Sequence, residues 1–416
     1  MLAEGCPRNW GNSTESEVKR MGEMQPFEFK HSTRVVFGAG TLKTLGEEAQ
    51  ALCASRALIV CDPGITKLGL TERVDDQLGA AAVRAVSFDA ISENPRDGEC
   101  CAAAAVATEE GADLIVGLGG GSAMDAAKAA AALVTNGGRV KDWEDSHELV
   151  RQSLPLLCIP TTAGTGSEVT FVAVITDEVN HHKMTLRGPG LAPRVAIVDA
   201  ELTASMPPTL TASTGMDALS HAIEAYTCTA ANPVSDVLAL KAIELIARNL
   251  PTAVRDGADL RARSAMVLAS TMAGMAFANS RVGAVHSIGE VLGGLYDTPH
   301  GVAVAVFLPH IYAFNIAAAP ERHRDVARAL GVVSTGGRDS EVAEQGAEVL
   351  FRLTSEVGIP ALAELPGVSP GDFEQLAETA AGSSCSQVNP RTIDEDDYLA
   401  ILHDAYGSRT ASDVGE

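Results

Sequence analysis

Aromatic residues make up only 4% of the 416-residue chain, lysine and arginine number 31 against 54 acids, and no cysteine pair has C-x-x-C spacing. The cation deficit leaves a formal net charge of −23 at pH 7, which repels polyanions, so nucleic acid and anionic membranes are poor partners and a small molecule is the expected one. The eight cysteines, Cys6, Cys53, Cys61, Cys100, Cys101, Cys158, Cys228 and Cys385, are scattered without zinc-ligand spacing, and buried thiols are expected instead of a disulfide framework. Long apolar runs are also missing: 102–107 and 129–134 are short and alanine-rich, far below the roughly 20 residues that span a bilayer. Residues 1–26 are polar and of mixed charge, without the apolar stretch of a secretory signal, so they read as a flexible extension of a soluble, cytoplasmic protein. With so few aromatics, the sequence outlines no pocket wall.

What is present is enough apolar surface for a sizeable core. At 46% hydrophobic residues over 416 positions, and with domains of roughly 100–200 residues, two domains are expected. In the first half, short β-branched runs at 57–61, 83–88, 114–117 and 156–159 alternate with alanine-rich helical stretches, the pattern of βαβ units in a parallel sheet. From about Pro207 long helical patterns take over, at 214–228, 233–249, 261–278 and 342–357. The expected division is an α/β domain over 27–206 and a helical domain over 207–416, with Pro207-Pro208 at the boundary because proline disfavours helical geometry before it.

Each strand should present its ligand loop at its carboxyl end. Leu114-Ile115-Val116-Gly117-Leu118-Gly119-Gly120-Gly121-Ser122-Ala123-Met124-Asp125 reads as a buried strand, a glycine turn and a helix start. Glycines admit a pyrophosphate to the backbone, and the helix N-terminus supplies free N–H groups and partial positive charge. The spacing fits neither G-x-G-x-x-G nor G-x-x-x-x-G-K-[ST], so a tight turn that binds nothing is the competing reading. A second loop, Pro160-Thr161-Thr162-Ala163-Gly164-Thr165-Gly166-Ser167-Glu168, offers hydroxyls and N–H groups at the same sheet edge. Asp62 ends an earlier strand, where it either accepts from ribose hydroxyls, which favours NAD over NADP, or merely opens the Pro63-Gly64 turn.

Asp217 and His221 are four residues apart in a helical stretch and so share one face. With His286 and His300 they would form an N₃O set suited to Fe²⁺ or Zn²⁺ with a position left for a substrate oxygen. A lone histidine is more often a hydrogen-bonded or surface residue, but here Gly289-Glu290-Val291 and Pro299-His300-Gly301, a turn before an apolar helix, supply company. His31, His147, His181, His182, His310, His323 and His403 lack a paired ligand and read as structural or surface residues.

Together these segments resemble the iron-containing (group III) alcohol dehydrogenases, over nearly the whole chain from Val35-Val36-Phe37-Gly38-Ala39-Gly40 to Asn389-Pro390-Arg391. The resemblance rests most specifically on Gly119-Gly120-Gly121-Ser122 with Asp125 and Lys128, the 160–168 loop, Gly215-Met216-Asp217-Ala218 with His221-Ala222-Ile223-Glu224, and His286 with Pro299-His300-Gly301. It implies a Rossmann-like N-terminal domain and an all-helical C-terminal domain, a dehydroquinate synthase-like architecture. It implies Asp217, His221, His286 and His300 as metal ligands, and contacts to NAD(H) from Asp62, Asn94, Gly120, Gly121, Ser122, Asp125, Thr161, Thr162, Thr165, Thr170 and Lys183. The implied reaction interconverts a small aldehyde and its primary alcohol by hydride transfer, with Fe²⁺, or Zn²⁺ in its place, polarising the oxygen. A homodimer or larger assembly is implied as well.

One departure concerns proton handling. Many relatives carry a further histidine one helical turn after the third ligand, where this chain has Glu290. Glu290 beside His286 could act as general acid/base, approach the metal, or only shape the pocket. Arg281 adds a cation near the site that would recognise an anionic substrate or pair with an acid on an adjacent helix. The alternatives kept are a glycerol-dehydrogenase-like polyol oxidoreductase, a dehydroquinate-synthase-like enzyme and a non-catalytic nucleotide binder.

Overall fold

The computed structural model describes residues 26–144, 149, 151–180, 182–334 and 336–407. His147, His181, Cys6 and nearly all of the expected 1–26 extension lie outside the described residues. Six parallel strands form one sheet: β1 (Arg34–Phe37), β2 (Arg56–Val60), β3 (Arg84–Phe88), β4 (Leu114–Gly119), β5 (Leu156–Pro160) and, past an antiparallel hairpin of β6 (Val172–Asp177) and β7 (His182–Arg187), β8 (Val195–Val198). Their order is β1-β8-β5-β4-β2-β3. The chain runs outward from β2 to β3 and then crosses back to β4, so the strand order reverses between β2 and β4. A crevice opens at such a reversal, and there the register aligns Val60 with Gly117.

β4 and β5 are buried along their whole length, and strands apolar on both faces need cover on both. Ile59, Val116, Leu157 and Ile159 pack under α1 (Leu45–Ala51) and α3 (Leu70–Ala80), which follows the short α2 (Pro63–Lys67). Leu58, Ile115 and Cys158 pack on the other side with α4 (Asp97–Glu109), α5 (Gly121–Asn136) and the buried residues Met184 and Leu186 of the hairpin. The alanine enrichment has its reason here: Ala126, Ala127 and Ala129 through Ala132 of α5 are all buried, and a methyl-sized side chain lets the helix lie close to the sheet.

The rest is helical: α6 (Pro208–Thr227), α7 (Pro233–Arg255), α8 (Leu260–Asn279), α9 (Ala284–Tyr296), α10 (His300–Asn315), α11 (Pro320–Ala329), α12 (Asp339–Glu356), α13 (Phe373–Ala381) and α14 (Glu395–Gly407). They enclose their own core, with Met216, Ile243, Phe307 and Tyr398 fully buried within it. The two largest boundary differences from expectation are at α6 and α7. α6 starts at Pro208, not 214, since proline at the first helical position forfeits no hydrogen bond. α7 runs past 249 through Pro251 to Arg255, because the packing of its buried face outweighs one missing N–H donor. β1, the hairpin and β8, which no expected run covered, are also new. Among the described residues every cysteine is a free thiol, and Cys53 and Cys101 are exposed, which corrects the expectation that all are buried. No described helix is long and apolar enough to cross a membrane.

Candidate metal and dinucleotide site

Asp217, His221 and Glu224 recur at i, i+4 and i+7 on α6, so all three leave one face of the helix. That face is inside the protein: Asp217 is 3% exposed, His221 6% and Glu224 4%. α9 brings His286 against it, and the first residue of α10 brings His300. α10 can come this close because residue 301 is glycine, where a Cβ would stand 2.5 Å from the Ser213 carbonyl oxygen of α6.

The ligand atoms converge on one carboxylate oxygen. Asp217 Oδ1 lies 3.7 Å from His221 Nδ1, 3.9 Å from His286 Nε2 and 3.6 Å from His300 Nε2. Asp217 Oδ1, His221 Nδ1 and His286 Nε2 are buried without any hydrogen-bond partner, and the ligand atoms of Asp217, His221 and His286 lie within 4.8 Å of one another. Leaving one such atom unpaired costs about 1–3 kcal/mol, so three facing one point are the mark of a cation site. An N₃O donor set is right for Fe²⁺ or Zn²⁺. His300 is the open side, with about a third of its side chain exposed.

The neighbours fix which nitrogen carries the proton. His286 Nδ1–H donates to Glu224 Oε2, and Glu224 Oε1 accepts from the Val285 N–H at 2.7 Å, which leaves Nε2 as a lone pair aimed at Asp217. The Gly164 backbone raises the proton affinity of the His221 ring against the lowering effect of burial and of His286. Phe277 stacks on His221 with ring centroids 4.4 Å apart. Burial drives protons off His221 and His300, so both stay neutral and able to ligate. Burial would do the same to His286, but the Glu224 carboxylate overrides it and raises that imidazole's proton affinity. Burial likewise raises Asp217 against the pull of His300 and His286. Glu290, one turn past His286, is raised by burial, with His286 and then Lys183 opposing.

The second half of the site lies at the β2/β4 crevice. Gly119 leaves β4 at φ +145°, a conformation that L side chains rarely adopt. A Cβ on Gly121 would stand 2.7 Å from Thr165 Cγ2, so the turn lies directly against the 160–168 loop. Gly120, Gly121, Ser122, Thr162 and Thr165 are all part-exposed around this opening, and Asn94 is exposed. Ser122 Oγ donates to the Glu93 carbonyl and thereby ties the Asn94 loop to the turn. Asp62 caps α2, accepting from Gly64 N–H at 2.8 Å through Oδ1. Its Oδ2 stands 3.5 Å from the position of a Cβ on Gly119, so it opens the Pro63 turn and faces the crevice at once.

Asp125, Thr161 and Thr170 turn inward. Lys128 Nζ, wholly buried, donates to Ser167 Oγ at 2.7 Å, Thr170 Oγ1 at 3.0 Å and the Val172 carbonyl at 2.6 Å. Asp125 accepts from Ser167 Oγ at 2.6 Å and Val174 N–H at 2.9 Å. Thr170 is 2% and Thr161 5% exposed, and Asp125 and Thr170 tie the two loops together through Ser167 and Lys128. Lys183 sits elsewhere, on β7, where it acts electrostatically on Glu290 and His300.

Several participants had no role in the sequence reading. Glu224 is the chief one, and its signal was available in the i, i+4, i+7 spacing. Lys128, the Gly164 backbone, Phe277 and the Glu168–Thr271 hydrogen bond at 2.7 Å, which ties the 160–168 loop to α8, carry no local signal. Arg281 adopts φ +133°, a strained conformation costing on the order of 1–3 kcal/mol. It pairs with no acid among the described residues, so the expectation of an acid on an adjacent helix does not hold. The histidines His31, His182, His310, His323 and His403 lie outside the cluster; His182 pairs with Glu144 and His310 with Asp404, while His323 packs on Tyr312 and His403 on Phe373.

Comparison with known proteins agrees across both halves. Residues 32–200 match the iron-containing alcohol dehydrogenase model, and 211–406 match that of the Fe-containing alcohol dehydrogenase family, C-terminal. The NAD-dependent methanol dehydrogenase of Bacillus methanolicus is 40% identical over 370 residues, covering 89% of this chain and 97% of its own. The 1,3-propanediol dehydrogenase of Klebsiella pneumoniae is 39% identical over 372 residues, covering 89% and 96%. A crystal structure of 1,3-propanediol oxidoreductase superposes with a TM-score of 0.89 at 38% identity, covering 92% of this chain and all of that one. Sulfoacetaldehyde reductase from Bifidobacterium kashiwanohense, solved in complex with NAD+, gives 0.86 at 29% identity over 92% of this chain and all of its own. On its sequence, its fold and the convergence of its buried ligand atoms, the chain belongs to the iron-containing alcohol dehydrogenase family.

Proposed function

We propose that this enzyme interconverts a short aldehyde and its primary alcohol in exchange with NAD(H), with Asp217, His221, His286 and His300 holding one Fe²⁺. The observation that carries this reading is the set of three buried, unpartnered ligand atoms within 4.8 Å of one another, next to a glycine turn at the sheet's crevice. Zn²⁺ suits the same donors. When bound, the ion supplies Lewis acidity that stabilises negative charge on the substrate oxygen.

The protein's own groups do the rest. Backbone N–H groups at Gly120, Gly121 and Ser122, at the N-terminus of α5, hold the pyrophosphate. Asp62 accepts from the ribose and disfavours a 2′-phosphate, Asn94, Thr162 and Thr165 line the same opening, and Lys183 orients the nicotinamide end. Asp125 and Thr170 serve the cofactor by fixing the loops through Lys128, and Thr161 lies at the base of the second loop. Glu224 keeps His286 in its ligating tautomer. Glu290 is the residue we assign to hold and move a proton: burial raises its proton affinity, and His286 and Lys183 act on it electrostatically.

The division into an α/β half to 206 and a helical half from 207 puts the site between the two. Free, partly exposed thiols fit a reducing cytoplasm, and we place the enzyme there as a homodimer or larger homo-oligomer. The test is elemental analysis of protein purified without chelator, run beside NADH oxidation with short aldehydes, for wild type and His286→Ala. Near-stoichiometric iron or zinc with turnover, both lost in the variant, is the expected result. Unchanged turnover with unchanged metal in the variant would overturn it.

A further inference from the structure

The first turn of α9 carries His286, and the backbone N–H groups of a first turn have no partners within their own helix. Gly283, which precedes the helix, has no side chain to cap them. Two side chains from distant parts of the chain take that place. Glu224 of α6 accepts from the Val285 N–H at 2.7 Å, and Asn389 Oδ1 faces the Ala284 N–H at 3.5 Å. A Cβ on residue 283 would stand 3.0 Å from Glu224 Oε1 and 3.3 Å from Asn389 Oδ1, so glycine is what lets both groups approach.

Asn389 opens the Asn389-Pro390-Arg391 motif with which the family resemblance ends, and hydride transfer gives it no task. It is 5% exposed and Asn315 is 4% exposed. The two amides pair reciprocally: Asn389 Nδ2 donates to Asn315 Oδ1 at 2.7 Å, and Asn315 Nδ2 donates to Asn389 Oδ1 at 3.0 Å. Asn389 Nδ2 also donates to the Arg391 carbonyl at 2.7 Å. The segment is anchored in turn by Ser386, whose Oγ lies 2.9 Å from Ser287 Oγ, the residue after His286, and 2.6 Å from the Tyr398 hydroxyl.

Asn315 is the last residue of α10, and His300 is the first. At about 1.5 Å per residue the two ends lie roughly 22 Å apart. Near its start α10 touches α9, since a Cβ on Gly289 would stand 2.7 Å from Val304 Cγ1. Such a contact stops α10 from moving toward α9 but not from sliding along its own axis, and packed helices shift by about 1–2 Å when nothing ties them. The tie is at the far end, where Asn315 meets Asn389. It matters because the His300 ring has no hydrogen-bond partner among the described residues. No neighbour orients it as Glu224 orients His286, so its place is set by the helix it begins.

We propose that Asn389, paired with Asn315, is a positioning residue of the metal site: it caps α9 beside His286 and fixes α10 along its axis, so that His300 closes the ligand set. The proposal rests on the metal-ligand reading above and assigns the residues that hold those ligands in register.

The test uses the full-length protein loaded with Co²⁺, which takes the same nitrogen and oxygen donors and whose visible absorption reports the number and arrangement of its ligands. Chelator competition gives the affinity, and His300→Ala gives the spectrum of a site that lacks the fourth ligand. Asn389→Ala should bind Co²⁺ roughly tenfold to a hundredfold more weakly, the range for residues that orient a ligand, with its spectrum displaced toward that of His300→Ala. Asn315→Asp, which keeps the side chain's shape but sets a carboxylate oxygen against Asn389 Oδ1, should do the same, and it decides the matter if Asn389→Ala does not fold. Tyr312→Phe controls for lost stability: it removes a buried hydrogen bond from α10 to the His323 carbonyl and leaves the amide pair intact. It should lower the urea midpoint yet keep the wild-type Co²⁺ affinity and spectrum. Wild-type affinity and spectrum in Asn315→Asp, or an equal displacement in Tyr312→Phe, overturns the proposal and leaves the metal reading standing. A wild type that binds no Co²⁺ overturns both.

Discussion

Replacing Glu224 by glutamine should weaken metal binding without touching a ligand. The carboxylate accepts two hydrogen bonds from two donors, Val285 N–H at 2.7 Å and His286 Nδ1–H. A glutamine amide has one oxygen and one NH₂, so it satisfies only one of them. If its oxygen keeps Val285, its NH₂ faces His286 Nδ1, which must then be the acceptor, and the ring proton moves to Nε2. That proton occupies the lone pair directed at Asp217 Oδ1, 3.9 Å away. If the amide flips, the buried Val285 N–H meets another donor, at a cost of about 1–3 kcal/mol. Either outcome fits the roughly tenfold to hundredfold loss of metal affinity typical for residues that orient a ligand histidine, or about 1.4–2.7 kcal/mol. Glu224 also raises the proton affinity of His286, which makes protons better competitors of the metal in the wild type, so the lower half of that range is expected near neutral pH. The assay is chelator competition for Zn²⁺ and Fe²⁺, with NADH affinity measured in parallel. Metal affinity within twofold of wild type in Glu224→Gln would refute the tautomer argument.

Gly121→Ala puts a methyl 2.7 Å from Thr165 Cγ2, so the turn and the 160–168 loop must separate. NADH fluorescence titration should show about tenfold weaker binding, or about 1.4 kcal/mol, with metal content unchanged. Stripping the metal with a chelator should abolish turnover yet leave NADH affinity within about threefold, since the cofactor turn and the ligand cluster share no side chain. Lys128→Met leaves Asp125 without its buried cation and three acceptors without a donor; urea unfolding should show about 3 kcal/mol lost. His323 is 1% exposed and burial lowers its pKa to about 4. A folded-state value below the unfolded 6.5 means the contribution is whole above pH 6.5 and is lost as pH falls toward 4, up to about 3 kcal/mol. Urea midpoints of metal-free protein should therefore fall across that window, and His323→Phe should flatten the slope.

Much of this was determined by the sequence alone. Strands such as β4 and β5 are legible because burial on both faces demands an unbroken apolar run, and the glycine turn is legible because no side chain fits its backbone. Asp217 and His221 declare themselves through helical spacing, which is a local property. His286 and His300 are much less constrained by spacing, and the resemblance to a known family joined them to the first two.

Tertiary structure alone decided what depends on groups distant in the chain. Lys128 looks like an ordinary helix lysine until Ser167, Thr170 and Val172 close over it. Asp125 and Thr170 look like isolated polar residues until Ser167, Lys128 and Val174 close around them. The hairpin that carries Lys183 exists because the surface of α5 needs a cover, and the meeting of His286 with Asp217 and Glu224 follows from the packing of α9 against α6. Local periodicity fixes which face of an element is apolar, because that depends on neighbours along the chain. Which polar groups meet on the remaining faces depends on how the elements dock, and a linear pattern does not encode it.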